Sequence, residues 1–305
     1  MIRGALASLA RNESLGGLIS RTPVARDVVK RVVGGETIES ALAVAYELAD
    51  RGYWVSLERT ALAEAAEDDG PQVGEEYLRL VDAVATAGLA AVCEVTVLPE
   101  VLGGRLGPQA VPEPLAALAR QAAAAGVPLM LGNGPATDVE ASLRWAADLH
   151  AGALPVGITL PASRRATEAD CRAWGDRRVR IVKGGRSGAS ATSYAQPIEI
   201  DKSFVRCAKE LLRGTGDPSF ATHDPRLVEI VESRALHDGR AADSYEFTFF
   251  MGRQEGAQER LLAHGHRVRV YVPYGPEWFE RLVGGLAEQP STITAALRSL
   301  LPGSS

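Results

Sequence analysis

Tyr53-Trp54-Val55-Ser56-Leu57-Glu58-Arg59-Thr60-Ala61 separates two architectures that the rest of the chain leaves open. Tyr53–Leu57 is short, aromatic and β-branched, the composition of a strand. Glu58-Arg59-Thr60-Ala61 follows it without a glycine. A doubly wound open sheet normally carries a glycine-rich phosphate turn after its first strand, and here that turn is missing. Ile38–Arg51 lies upstream, a helical pattern with Thr37 as its N-cap. Seven further apolar runs lie downstream: Val92–Val97, Val127–Leu131, Val156–Leu160, Val179–Lys183, Ser219–Thr222, Tyr245–Phe250 and Val268–Val272. Between them stand helical patterns at Tyr77–Gly88, Pro114–Gly126, Asp138–Leu149, Thr167–Trp174, Ile200–Arg213, Pro225–Asp238 and Glu255–Gly265, and a last one at Pro276–Glu288. Gly88 and Gly126 suit helix C-caps. Eight strands, each followed by a helix, predict a (β/α)8 TIM-like barrel with N-terminal helices. The near-continuous apolar strands fit a parallel sheet covered by helices.

The chain has 305 residues, 33 basic against 38 acidic, a net charge of -5 and 46% hydrophobic residues. That is globular composition, and its mild acidity argues against a nucleic-acid partner. The length fits two ordinary domains or one barrel. The pattern favours an N-terminal helical segment at 1–35, a barrel at 36–290 and a tail at 291–305. Cys93, Cys171 and Cys207 are too widely spaced for a disulfide scaffold or a thiolate zinc site. No run approaches a membrane span. The basic N-terminus lacks an apolar core and a cleavage site, so a packed or solvated helix and a cytoplasmic protein are expected.

Barrel active sites lie at the C-terminal ends of the strands. Glu58 and Arg59, Thr96, Asn133, Arg164 and Arg165, then Arg180, Lys183, Gly184, Gly185 and Arg186 stand there, followed by Thr222, His223, Asp224, Glu246, Tyr271 and Tyr274. Basic groups are in excess, which predicts an anionic ligand such as a phosphate, pyrophosphate or carboxylate. The alternative for any one arginine is an acidic neighbour or solvent. Val182-Lys183-Gly184-Gly185 lets backbone approach a ligand closely. Thr222-His223-Asp224-Pro225 opens a helix, as an anion-binding N-terminus or as an N-cap with proline at the first position, and both can hold. His264 and His266 flank Gly265 as a surface turn rather than a ligand pair. No nucleophile elbow and no P-loop is present.

The ordered set Val33-Gly34-Gly35-Glu36-Thr37, Val179-Arg180-Ile181-Val182-Lys183-Gly184, Ala221-Thr222-His223-Asp224-Pro225, Tyr245-Glu246-Phe247 and Arg267-Val268-Arg269-Val270-Tyr271-Val272-Pro273-Tyr274-Gly275 resembles the proline dehydrogenase family over about residues 33 to 290. The resemblance implies a barrel flavoenzyme that holds FAD non-covalently at its strand ends. It places Arg180 beside the reactive flavin nitrogen, and Val182, Lys183, Gly184, Gly185, Thr222, His223 and Glu288 around the cofactor. Tyr271 falls near the substrate. A positive group at the flavin stabilises its anionic reduced ring.

The departures are specific. Where the family has a tyrosine and two carboxylate-clamping arginines on its last helix, this chain has Arg281, Gly284 and Gly285. Thr96 replaces a strand-2 lysine, Pro161 a strand-4 glutamine, Arg186 a tyrosine, Gly132-Asn133-Gly134 covers an expected acid, and Leu57-Glu58-Arg59 stands for the early acidic motif. Losing both clamp arginines removes charged hydrogen bonds of roughly 1.5–3 kcal/mol each, on the order of a hundredfold in proline affinity. Arg281, Gly284, Gly285 and Glu288 share one helix face. They predict a rebuilt, larger anion-binding pocket with Arg186, Arg281, Gly284, Gly285 and Tyr271 on the substrate side; a decayed site is the alternative. The expected activity is oxidation of an amine or amino-acid derivative other than free proline, C–N to C=N, by hydride transfer to FAD, with oxygen or a quinone as acceptor. Genuine proline oxidation through an Arg186–Arg281 clamp, or a barrel without redox activity, remain alternatives.

Overall fold

The structure is a computed structural model that describes residues 31–60, 66–102, 110–134, 137–183 and 191–278. Residues 1–30 of the expected N-terminal segment, most of the last helix and the 291–305 tail lie outside that range.

Helix α1 (Ile38–Asp50) begins at Thr37, whose hydroxyl accepts from the Ser40 N–H at 3.3 Å while Ser40 Oγ accepts from the Thr37 N–H at 3.1 Å. This reciprocal cap satisfies donors that a helix start leaves free. Strand β1 (Trp54–Arg59) follows, then α2 (Ala66–Thr86), β2 (Cys93–Val97), α3 (Glu113–Ala125), β3 (Leu129–Leu131), α4 (Val139–Ala151), β4 (Gly157–Pro161), α5 (Thr167–Ala173) and β5 (Val179–Val182). Helix α6 (Pro197–Arg213), β6 (Pro218–Ala221), α7 (Pro225–His237), β7 (Glu246–Phe250), α8 (Glu255–Ala263) and β8 (Arg267–Tyr274) complete the described elements. All neighbouring strands are parallel, and β8 returns to β1, from Trp54 opposite Arg269 to Arg59 opposite Tyr274. The sheet is a closed eight-strand barrel.

Several boundaries differ from the sequence expectation. Helix α2 starts at Ala66 rather than Tyr77, although Pro71 lies inside it. Val73, Tyr77, Leu80, Val81 and Val84 are all buried at helical spacing, and that stripe holds the helix through its local breakers. Strand β3 loses Val127 and Pro128, whose ring nitrogen has no hydrogen to give a ladder. Strand β8 gains Arg267 and extends to Tyr274 because β1 pairs along its length. Short 3-10 turns at Pro99–Val101 and Ala242–Ser244 were not foreseen. Gly126 caps α3 in the left-handed region at φ 67°, as expected.

Alternation along each strand sends one set of side chains outward and the other into the barrel. Val55, Leu57, Val95, Ile158, Ile181 and Phe247 face the helices in one continuous apolar core. Near the chain turns that close α5 and α6, Gly175 and Gly214 meet, and a Cβ at Gly214 would overlap the Gly175 carbonyl oxygen. Gly214→Ala is therefore expected to destabilise the fold by about 2 kcal/mol, read as a lowered urea midpoint. Gly256→Ala, in exposed α8 with nothing near its added methyl, is expected to stabilise by about 1 kcal/mol. Equal effects from the two would contradict the close approach.

Candidate active site at the barrel mouth

The barrel interior is ionic where such barrels are usually filled with layers of branched aliphatic side chains. Strand β5 directs Arg180 inward, with Arg178 just before it; β2 directs Glu94 and Thr96, β7 Glu246 and Thr248, β8 Arg269 and Tyr271. Arg178 donates to Glu94 Oε2 at 2.8 Å, to Glu246 Oε1 at 2.5 Å and to Asp217 Oδ2 at 2.8 Å. Arg269 Nε donates to both Glu246 oxygens at 2.9 and 3.0 Å, and its Nη1 to the Val55 carbonyl at 2.6 Å. Arg180 donates to Glu94 Oε1 and, at 3.3 Å, to Thr96 Oγ1. The Arg267–Asp217 pair lies toward the N-terminal end. Three guanidiniums, Arg178, Arg180 and Arg269, thus face two fully buried carboxylates, Glu94 and Glu246, with Asp217 on Arg178 below and buried Glu58 above.

Burial pushes the Glu94 carboxyl up, but Arg180, Arg269 and Arg178 outweigh it and hold the pKa at about 2. The same contest, won by Arg178 and Arg269, holds Glu246 well below the ordinary carboxylate range. Burial draws Arg180 below the usual arginine value, Glu94 opposing and Arg178 adding to it. Arginine stays protonated in proteins, so these positive charges are permanent.

Above this layer, the Tyr271 ring lies 5.6 Å from the Arg180 guanidinium carbon and its hydroxyl donates to buried Glu58. Phe250 meets Tyr271 edge-on with centroids 5.0 Å apart and is half exposed. His223 lies 5.7 Å from Phe250 and 6.0 Å from Phe249. Burial first, then Arg253, lowers the His223 pKa to about 4, so its ring is neutral near pH 7. Four buried polar atoms on β4, β5 and the turns just after β4 and β6 have no hydrogen-bond partner among the described residues: Thr159 Oγ1, Ser163 Oγ, Arg180 Nε and His223 Nδ1.

The structure sorts the expected site residues. Arg180, Val182, Thr222, His223 and Tyr271 stand on β5, β8 and the end of β6, on the mouth side. Lys183 is not free: its amine lies 2.8 Å from Asp201 and 2.7 Å from Asp224. Asp224 caps α7, accepting from the Arg226 N–H at 3.1 Å, with Pro225 at the first helical position. The expected ring of unpaired basic groups is corrected. Arg59 turns outward to Glu76 at 2.6 Å and Glu277 at 2.8 Å, and Arg164 is taken by Asp170 and Glu140. Glu246 sits deep in the barrel rather than at its mouth, and the Tyr274 side chain joins the outer core. Gly184, Gly185, Arg186, Arg281, Gly284, Gly285 and Glu288 lie outside the described residues.

Sequence reasoning passed over Glu94, Thr159, Phe250 and Glu100. Glu100 reaches from the turn after β2 to the end of β3, where it accepts from Thr137 Oγ1 at 2.6 Å and lies against Gly134. A signal existed for Glu94 alone, as a lone acid at an inward position of an apolar strand. Among the described residues no three His, Cys, Asp or Glu side chains converge as metal ligands, and no helix is long and apolar enough to cross a membrane.

The family model described as proline dehydrogenase matches residues 41–278. A proline dehydrogenase of Deinococcus radiodurans is 30% identical over 125 residues, 41% of this chain and 40% of that protein. Proline dehydrogenase 1 of Bacillus subtilis is 24% identical over 303 residues, 99% of each chain. Among solved structures, proline utilization A from Bdellovibrio bacteriovorus, inactivated by N-propargylglycine, superposes with a TM-score of 0.75 at 18% identity. That superposition covers 95% of this chain and 34% of that one, so the chain spans about a third of it.

Proposed function

The chain belongs to the proline dehydrogenase family, and from that premise we propose that it is an FAD-dependent oxidoreductase acting on an amine or amino-acid derivative other than free proline. The carrying observation is Arg180: fully buried in the ionic barrel interior, with Nε unpartnered among the described residues, as are Thr159 Oγ1, Ser163 Oγ and His223 Nδ1 along the β4–β6 side of the mouth. That edge offers a charged donor, two hydroxyls and a neutral imidazole, which fits the heteroatom-rich rim of an isoalloxazine. Bound FAD supplies the hydride acceptor; the substrate carbon loses hydride, its nitrogen loses a proton, and an imine results. Arg180 provides the positive charge that favours an anionic reduced ring. Tyr271 and Phe250 form an aromatic wall facing the substrate, and Tyr271 is fixed by its hydrogen bond to Glu58. Val182, Lys183, Gly184, Gly185, Thr222, His223 and Glu288 line the cofactor in this reading, with Lys183 acting through backbone since Asp201 and Asp224 hold its amine. Arg186, Arg281, Gly284 and Gly285 shape the substrate side. Oxygen or a quinone takes the electrons onward.

Purification tests the reading. A yellow protein whose released chromophore has the mass of FAD, reduced anaerobically by cyclic or secondary amines faster than by L-proline, is the expected result. Efficient proline turnover would make it a proline dehydrogenase with a rearranged clamp. A colourless protein that takes up no added FAD would overturn the cofactor assignment.

A further inference from the structure

Glu94 stands on β2, across the barrel from β5, and is fully buried. Its Oε1 accepts from Arg180 Nη2, its Oε2 accepts from Arg178 at 2.8 Å, and Arg269 Nε stands 3.7 Å away. Two residues along the same inward face, Thr96 accepts from Arg180 Nη1 at 3.3 Å, and Thr96 is itself tied to Ser56 Oγ at 2.7 Å. Arg180 therefore leaves its own strand, crosses the interior and is gripped by two neighbouring β2 side chains. Nε, nearest its stem, is left facing no protein partner among the described residues.

We propose that Glu94 is the positioning residue of Arg180, fixing its guanidinium beneath the mouth and offsetting part of the charge it presents there. Two physical facts carry this. A charge-assisted hydrogen bond in a water-free interior is among the stronger restraints a side chain can have. A carboxylate touching a guanidinium also opposes its field in the direction of any ligand above. Glu246 cannot substitute, because it is bonded to Arg178 and Arg269 and not to Arg180. The family resemblance carries no role for position 94; the assignment comes from barrel closure alone. Its second half, the offset charge, rests on the cofactor reading above, while the first does not.

The test has an arm for each half. In the FAD-free protein, phenylglyoxal modification of Arg180, followed by peptide mass mapping, is expected to run about tenfold faster in Glu94→Gln than in wild type, the scale of one lost charged hydrogen bond. In the FAD-loaded protein, Glu94→Gln is expected to shift the two-electron reduction equilibrium about tenfold toward reduced flavin, ~30 mV. In an Arg180→Met background that shift is expected to vanish. Unchanged labelling of Arg180, an unchanged or lowered potential, or a shift that persists without Arg180 would each overturn the proposal. Should Glu94→Gln fail to fold, Glu94→Asp keeps the charge and withdraws the grip by one methylene. Its labelling is expected to rise roughly threefold, and wild-type labelling in Glu94→Asp would overturn the proposal. If wild type takes up no FAD, the cofactor reading fails, and the labelling arm alone decides whether Glu94 holds Arg180.

Discussion

Arg180→Met is expected to slow reduction of bound FAD by the amine substrate about a hundredfold, in the range seen when one preorganised charge-stabilising donor is removed. Anaerobic stopped-flow measurement of flavin bleaching reads it. A loss of stability is expected beside it, because Arg180 is one member of a buried ion pair. Without Arg180, Arg178 still bonds Glu94 and Glu246 and Arg269 still bonds Glu246, so neither carboxylate is left without a guanidinium. Removing one member of a buried pair costs about 3–5 kcal/mol, and the bond that Arg178 keeps to Glu94 should hold the loss to the lower end of that range. A hundredfold loss of rate in protein that is still folded and FAD-loaded would separate catalysis from folding. Arg180→Lys keeps the charge but loses the planar fork that spans Glu94 and Thr96, so partial rescue, about tenfold below wild type, is expected. A wild-type reduction rate in Arg180→Met would remove the arginine from the chemistry.

The architecture was legible because its signals are local. A first strand ending in Glu58-Arg59 without a glycine turn, a capping pair at Thr37 and Ser40, a left-handed Gly126 and the Asp224-Pro225 helix start all mark boundaries within a few residues of themselves. Helix α2 was half hidden because Pro71 and Gly74 are local breakers, while the burial of Val73 that overrides them is tertiary. The site divides along the same line. Arg180, His223 and Tyr271 lie in ordered strand segments and could be named in advance. Charge pairing could not. Arg59 and Glu277 are 218 residues apart in sequence, and Arg180 and Glu94 are 86 apart. Within Cys93–Val97, Glu94 is one acid in an apolar strand; only closure of the sheet sets it opposite β5 and turns an apparent excess of basic groups into a paired ionic network.

That network is also where the fold is most exposed to perturbation. Glu246→Gln leaves Arg178, Arg180 and Arg269 with Glu94 as the remaining fully buried carboxylate, and breaking a buried pair in this way costs about 4 kcal/mol. The loss is expected as a large fall in urea midpoint at pH 7. The half-exposed pair Arg260–Glu232, with its 2.7 Å contact, serves as control, and Glu232→Gln is expected to cost under about 1 kcal/mol. Acid then supplies a second reading of the same groups. Glu94, held at about 2, and Glu246, held lower still, both lie below the ordinary 4.5 of an unfolded glutamate. A depressed carboxyl contributes stability that is complete above the unfolded pKa and is lost as pH falls toward the folded one. Wild-type stability should therefore drop steeply below about pH 4.5 with a slope approaching two protons from this pair. His223, buried with a pKa near 4 against an ordinary 6.5, adds a shallower loss that begins below pH 6.5, because the unfolded chain binds that proton first. Glu246→Gln keeps the histidine limb and should lose one proton from the steeper one. Urea titrations at pH 7, 5, 4 and 3 distinguish the two limbs. If wild type and Glu246→Gln descend in parallel between pH 4.5 and 3, the carboxylate at 246 is not ionised in the folded barrel and does not pair there with Arg178 and Arg269.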